Sequence, residues 1–172
     1  MEDDRPLLHT PRFDVVERTY RAPDGSTHFR AYVQHPGAVA ILPLFDDGKI
    51  CLIRNFRPAV GHELFELPAG TREPGEAPLA TATRELEEET GYAAVRIERL
   101  CEFWMSPGIL NERMHVFVAR GLQRGKASLD KGEIVAPHIV SHDEAMAMVA
   151  DGRIQDAKSV AALLYFEQFA AR

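Results

Sequence analysis

Four glutamates, Glu85, Glu87, Glu88 and Glu89, crowd into residues 84–90, and a fifth, Glu76, stands eight residues before Arg84. Apolar spacing predicts a helix over 77–90, ended by Gly91. The acidic run therefore sits at the helix C-terminus, where backbone carbonyls already carry partial negative charge. An exposed carboxylate is misplaced there by about 0.3–1 kcal/mol, and Glu85 and Glu89 repel each other across one turn. With Leu79 at the centre of a face and a step of about 100° per residue, Ala82 and Leu86 complete a core stripe. Glu85 and Glu89 then lie together at its edge, with Glu88 just beyond, and Arg84 neutralises only part of the charge. A hard divalent cation would compensate, since Mg²⁺ prefers a few carboxylates together with water and phosphate oxygens. Taken alone, the same run also reads as a solvated helix face.

The elements that would position this helix are legible around it. Residues 12–21 and 27–34 read as two strands joined through Asp24-Gly25, with Phe29, Ala31 and Val33 alternating with His28, Arg30 and Tyr32. The nearly all-apolar 37–45 reads as a central strand, 50–56 as another, and 63–70 as a short strand stopping at Gly70. Three more strands are expected over 95–105, 113–120 and 133–140. Ser141 and Glu144 form a capping box for a helix to Ala150, with Gly152 as its stop. That helix start separates His138 from His142 as a shared ligand face. Asp156 caps a final helix through Phe169, with Val160, Leu163 and Leu164 on one face. The sum is an α/β fold, a mixed sheet with helices on both faces.

Composition narrows the function. Net charge is −6 with no basic run, which argues against a nucleic-acid partner held by its phosphate backbone. No run of 18 apolar residues exists, and the acidic N-terminus lacks the apolar core of a secretory signal, so no membrane partner is expected. Cys51 and Cys101 lie in apolar strands and read as reduced, buried residues of a cytoplasmic protein.

The acidic run does not stand alone. Gly70, Glu76, Arg84, Glu85, Leu86, Glu88, Glu89 and Gly91 follow the pattern G-x5-E-x7-R-E-L-x-E-E-x-G-Y, which resembles the motif of the Nudix hydrolases at every fixed position. Tyr92 stands where an aliphatic residue is commoner. The likeness extends over roughly residues 12–169. "ELPAG", the pair Arg54 and Arg57, and Pro107 fifteen residues past Tyr92 resemble the ADP-ribose pyrophosphatase branch.

The resemblance implies a Nudix fold over 38–172, an α/β/α sandwich, with an N-terminal β-hairpin extension over 1–37 that joins two subunits into a homodimer. It implies hydrolysis of the diphosphate bond of ADP-ribose or a related nucleoside diphosphate sugar, with Mg²⁺ or Mn²⁺ as cofactor. GDP-mannose is the alternative substrate. A ligand-sensing domain without catalysis, or an enzyme clearing oxidised nucleoside triphosphates, are the competing classes. Glu85, Glu89 and the carbonyl of Ala69 are the implied metal ligands, with Glu88 close by and Arg84 orienting Glu76. Arg54 and Arg57 are candidates to grip phosphate, and Arg54 reads equally well as a strand-end ion pair. Glu66 is a candidate to read the nucleoside and Glu112 to touch the distal sugar, with Pro107 and Gly108 as further candidate substrate-binding residues. The loop 126–137 offers Glu133 as water-activating base or further metal ligand, with Asp130 weaker, because Lys131 stands where some relatives carry the base. Glu88 and Glu112 are next in line.

Overall fold

The computed structural model describes residues 4–11, 13–125 and 135–170. Strands β1 (Asp4–His9), β2 (Asp14–Arg21) and β3 (Thr27–Gln34) form an antiparallel sheet with β2 in the middle. The expected hairpin therefore has a third strand. β1 lacks a local signal because it is a short edge strand, Asp-Arg-Pro-Leu-Leu-His, with a proline and no polar–apolar alternation. Its register shifts between Pro6 and Leu8, where proline is tolerated. Ion pairs Arg5–Glu17 and Arg18–Asp4, both at 2.7 Å, fasten it to β2.

The expected mixed sheet is realised as two. One runs β7 (Ala69–Thr71), β4 (Ala38–Pro43), β9 (Arg113–Arg124), β8 (Tyr92–Trp104), with β4 parallel to β9 and the other pairs antiparallel. The other is antiparallel and runs β10 (Val135–Ser141), β5 (Lys49–Arg57), β6 (His62–Glu66). All six residues of β4 are buried, as its apolar run requires. Val39 and Ile41, with Phe117 and Ala119, meet Ala82 and Leu86 of helix α1 (Pro78–Thr90). Ala38, Ala40 and Leu42 take the opposite face, as strand alternation dictates. They share the larger core with Ile50, Leu52 and Leu67, and with Met148 of α2 (His142–Ala150) and Leu163 and Phe166 of α3 (Ala157–Phe169). Helices thus cover the sheets on both sides.

Two side chains depart from their expected places. Leu79 is 50% exposed, because the buried face of α1 centres on Ala82, Leu86 and Glu89 rather than on the first turn. Leu164 is also exposed, and Lys158, Ser159 and Ala162 take the inner face of α3. The helix caps fall where expected: Ser141 Oγ accepts the Glu144 N–H, and Asp156 accepts the Ser159 N–H. Cys51 is buried, Cys101 half-buried, and both are free thiols. Burial pushes the Cys51 thiol up to about 12, so it is inert at neutral pH.

Candidate active site

Strand β7 runs against α1. Gly70 lies in β7 opposite Val39, and its conformation is not a left-handed one. The strand expected to stop at Gly70 instead breaks after Glu66 and resumes as β7 through Gly70, and glycine is needed there for another reason. A Cβ there would lie 1.9 Å from the Glu85 carboxylate, so the missing side chain is the space Glu85 occupies. One residue earlier, Ala69 N–H donates to Glu89 Oε2 at 2.8 Å. Glu89 is only 4% exposed, deeper than the stripe-edge position expected for it.

Between β7 and α1 the loop turns at Gly75, with φ of 81°, and returns Glu76 toward the helix. The Glu73 N–H donates to Glu76 Oε2 at 3.0 Å, and Arg72 Nη2 donates to the Glu76 carbonyl at 2.6 Å. Arg84 gathers the carboxylates. Its Nη1 donates to Glu85 Oε1 at 2.7 Å and to Glu88 Oε2 at 2.8 Å, while Nε and Nη2 reach the two oxygens of Glu76 at 3.3 Å. Beside this guanidinium the Glu76 carboxyl drops to about 2, with the Glu73 N–H as second cause. Burial opposes the charge on Arg84, but Glu76, Glu85 and Glu88 outweigh it and raise its pKa.

Glu76, Arg84, Glu85, Glu88 and Glu89 are thus brought together as the spacing implied. Among the described residues, no three His, Cys, Asp or Glu side chains are arranged to hold a metal ion as they stand. The chemistry of the set nevertheless suits one. Three carboxylates, Glu76, Glu85 and Glu88, share one guanidinium, Glu89 lies on the same helix flank, and the cradle at Gly70 is filled by carboxylate oxygens of the kind a hard divalent cation prefers.

The candidate substrate residues are dispersed. Arg57 Nε and Nη2 donate to Glu66 Oε1 and Oε2 at 2.8 and 2.6 Å, and the side chain stays 38% exposed. Glu66 raises the Arg57 pKa most, burial opposes, and Asp156 and Glu89 add smaller rises. Glu66 itself is fully buried. Both its oxygens are held inside the chain, which turns an expected nucleoside reader into a partner of Arg57. Burial pushes the Glu66 carboxyl up, but Arg57 and Lys158 together bring it below its usual range. Arg54, three residues from Arg57 on one strand, leaves the opposite face and pairs with Glu63 at 3.0 Å.

Pro107, Gly108 and Glu112 belong to the β8–β9 connection, with Pro107 and Gly108 at its exposed tip. That connection is gripped by β3: Val33 N–H donates to Ile109 O at 2.8 Å, and Asn111 N–H to Val33 O at 3.1 Å. Glu133, Asp130 and Lys131 lie outside the described residues. Sequence reading missed Lys158, whose signal was a lysine on the i, i+4, i+8 stripe with Ala162 and Phe166.

A NUDIX domain family model matches residues 34–163. The chain is similar to the ADP-ribose pyrophosphatase of Bacillus subtilis (strain 168), 39% identical over 156 residues, spanning 90% of this chain and 84% of that protein. It is 41% identical over 147 residues to the methanol dehydrogenase activator of Bacillus methanolicus, spanning 84% and 80%. It is 32% identical over 171 residues to the GDP-mannose pyrophosphatase of Yersinia enterocolitica serotype O:8, spanning 92% and 86%. A crystal structure of an ADP compounds hydrolase has the same fold, with a TM-score of 0.86 at 22% identity, covering 98% of this chain and 92% of that one.

Proposed function

This chain belongs to the NUDIX family, and we propose that it hydrolyses the diphosphate bond of ADP-ribose to AMP and ribose 5-phosphate. The observation that carries the reading is the cluster of Glu76, Glu85 and Glu88 on Arg84 beside the Gly70 cradle. The "ELPAG" segment and Arg57 at its rim support ADP-ribose, as does the named activity of the Bacillus subtilis relative. The Yersinia relative's name supports GDP-mannose as the second substrate to try.

Glu85, Glu89 and the Ala69 carbonyl would hold a divalent cation, Mg²⁺ or Mn²⁺, with Glu133 a further candidate ligand. Bound there, the ion would neutralise diphosphate charge and lower the pKa of an attacking water. Arg84 keeps Glu76, Glu85 and Glu88 in place, so that the carboxylates are oriented before substrate arrives. Arg57, and Arg54 once released from its exposed pair with Glu63, offer guanidinium donors to phosphate oxygens. Pro107, Gly108 and Glu112 border the distal sugar. One water oxygen joins phosphorus, the bridging oxygen leaves with the other phosphate, and the water proton passes to a carboxylate, Glu133 or Glu88. Two free thiols suit a reducing compartment such as the cytoplasm. The N-terminal sheet is suited to joining two copies as a homodimer.

The test is a substrate panel of ADP-ribose, GDP-mannose and nucleoside triphosphates, read by release of monophosphate with and without Mg²⁺. ADP-ribose is expected to lead, chelator to abolish turnover, and Glu85→Gln and Glu89→Gln each to lose about 10²-fold or more. A triphosphate in the lead, or a hexose nucleotide ahead by about tenfold, overturns the substrate. Full activity of both variants overturns the site.

A further inference from the structure

Lys158 lies on the inner face of α3 and is only 6% exposed. A buried ammonium persists only when it is paired. Its Nζ reaches Glu66 Oε2 at 2.6 Å and Asp156 Oδ2 at 2.8 Å. Asp156 is fixed in turn by the helix it caps: Ser159 donates to it through its N–H at 3.1 Å and its hydroxyl at 2.6 Å. Ser159 Oγ also accepts the Leu67 N–H at 2.7 Å, which pins the chain between β6 and β7 to α3. The far side of Glu66 carries Arg57 in a two-point grip. One hydrogen-bonded line therefore runs from the start of α3 through Glu66 to a half-exposed guanidinium at the end of β5.

We propose that Lys158 is a positioning residue for hydrolysis, holding Glu66 in one orientation so that Glu66 aims Arg57 at a diphosphate oxygen of the substrate. The physical need is plain. A bidentate pair fixes Arg57 relative to Glu66, but Glu66 can still turn about its own side-chain bonds. The bond to Lys158 ties the carboxylate to a second element, 92 residues away in sequence, and removes that freedom. An apolar side chain would fill the same space without desolvating a charge, so lysine here is explained by orientation rather than by packing. The inference rests on the reading of the site as one for nucleoside diphosphate sugars.

The experiment compares Lys158→Met, Arg57→Met, their combination, and the pair Lys158→Met with Glu66→Gln. It uses the panel member that the wild-type enzyme turns over fastest, in saturating Mg²⁺. A wrong substrate then appears in the wild-type panel and a wrong positioning role only among the variants. If the wild type hydrolyses no nucleoside diphosphate sugar, the underlying reading fails before any variant is made, and this inference falls with it. Lys158→Met is expected to lower kcat/KM by about tenfold or more, since small misplacements of a gripping group cost up to ~10²-fold. In the Arg57→Met background it is expected to add less than about twofold, because the two residues act as one unit.

Lys158→Met also strips a partner from buried Glu66 and another from Asp156, and lowers the melting temperature. The pair with Glu66→Gln removes both buried charges, and its melting temperature is expected to recover in part, since Asp156 and Arg57 still lose a partner. Its kcat/KM is expected to stay low. Activity that returns with stability in the paired variant, or losses that multiply in the combination with Arg57→Met, would overturn the proposal.

Discussion

Glu76 shows how a single residue can be read for both site and stability. Its carboxyl lies at about 2, against an ordinary 4.5, through hydrogen bonds from Arg84 and the Glu73 N–H. A carboxyl depressed by folding stabilises the fold fully above its unfolded pKa and loses that contribution as pH falls through its folded value. The window is therefore pH 4.5 down to about 2. Glu76→Gln is expected to be less stable than the wild type at pH 7, and the gap should close across that window as both proteins come to carry a neutral group there. Urea denaturation at steps of pH measures it; a gap unchanged from pH 7 to the acid end would mean the ion pair contributes nothing. Legibility at this scale was uneven. Glu85, Glu88 and Glu89 were readable because helix spacing alone sets which side chains share a flank. The reason for glycine at Gly70 is not local, because its need for a bare Cα comes from Glu85 arriving from another element. Glu66 looked like an exposed recognition group, and only the packing of α3 against β6 reveals that it is fully buried.

Elements were legible where their signals are local. Helix α1 runs Pro78–Thr90, with Gly91 left-handed at its end donating to the Glu87 carbonyl, close to what proline, periodicity and glycine announce. Its buried face is harder to read, since Leu79 is the largest apolar side chain of the first turn and yet is half exposed. Leu86 carries the packing instead, fully buried against Val39, Ile41, Phe117 and Ala119. Leu86→Ala is expected to cost about 2–5 kcal/mol, whereas Leu79→Ala should stay within about 0.5 kcal/mol of the wild type. Equal losses on chemical denaturation would mean that the helix is seated differently. Strand pairing was less legible than strand identity. The parallel pairing of β4 with β9 joins residues far apart in sequence, and the division of β4 and β5 between two sheets occurs across the short Asp46–Asp47–Gly48 turn. Alternation fixes which face a residue takes, but it does not say which strand lies alongside.

At the scale of the whole molecule, the N-terminal sheet is the part least satisfied by its own chain. Register places Leu8 beside Val15 and Val15 beside Val33, and strand alternation brings Ala31 and Phe29 to the same face. Leu8 is 55% and Phe29 64% exposed, so an apolar stripe faces solvent on a sheet of only three strands. The opposite face is better occupied, with Val16 buried and Tyr32 hydrogen-bonded to Asp4 and Arg18. The sheet is also not a loose appendage. Val33 bonds to Ile109 and Asn111, and the Asn111 side chain accepts the His35 N–H at 2.7 Å, so β3 holds the connection that carries Pro107, Gly108 and Glu112. A second copy laid on the stripe would cover the apolar surface and, through β3, brace that connection. A homodimer is the expected state at micromolar concentration by light scattering. Phe29→Glu is expected to shift it toward monomer, since each stripe would then bury an unpaired charge, and to raise KM by loosening the β8–β9 connection. A wild-type monomer, or a Phe29→Glu dimer of undiminished stability, would remove the stripe as the joining surface. Monomeric Phe29→Glu with unchanged KM would keep the interface and sever its link to the site.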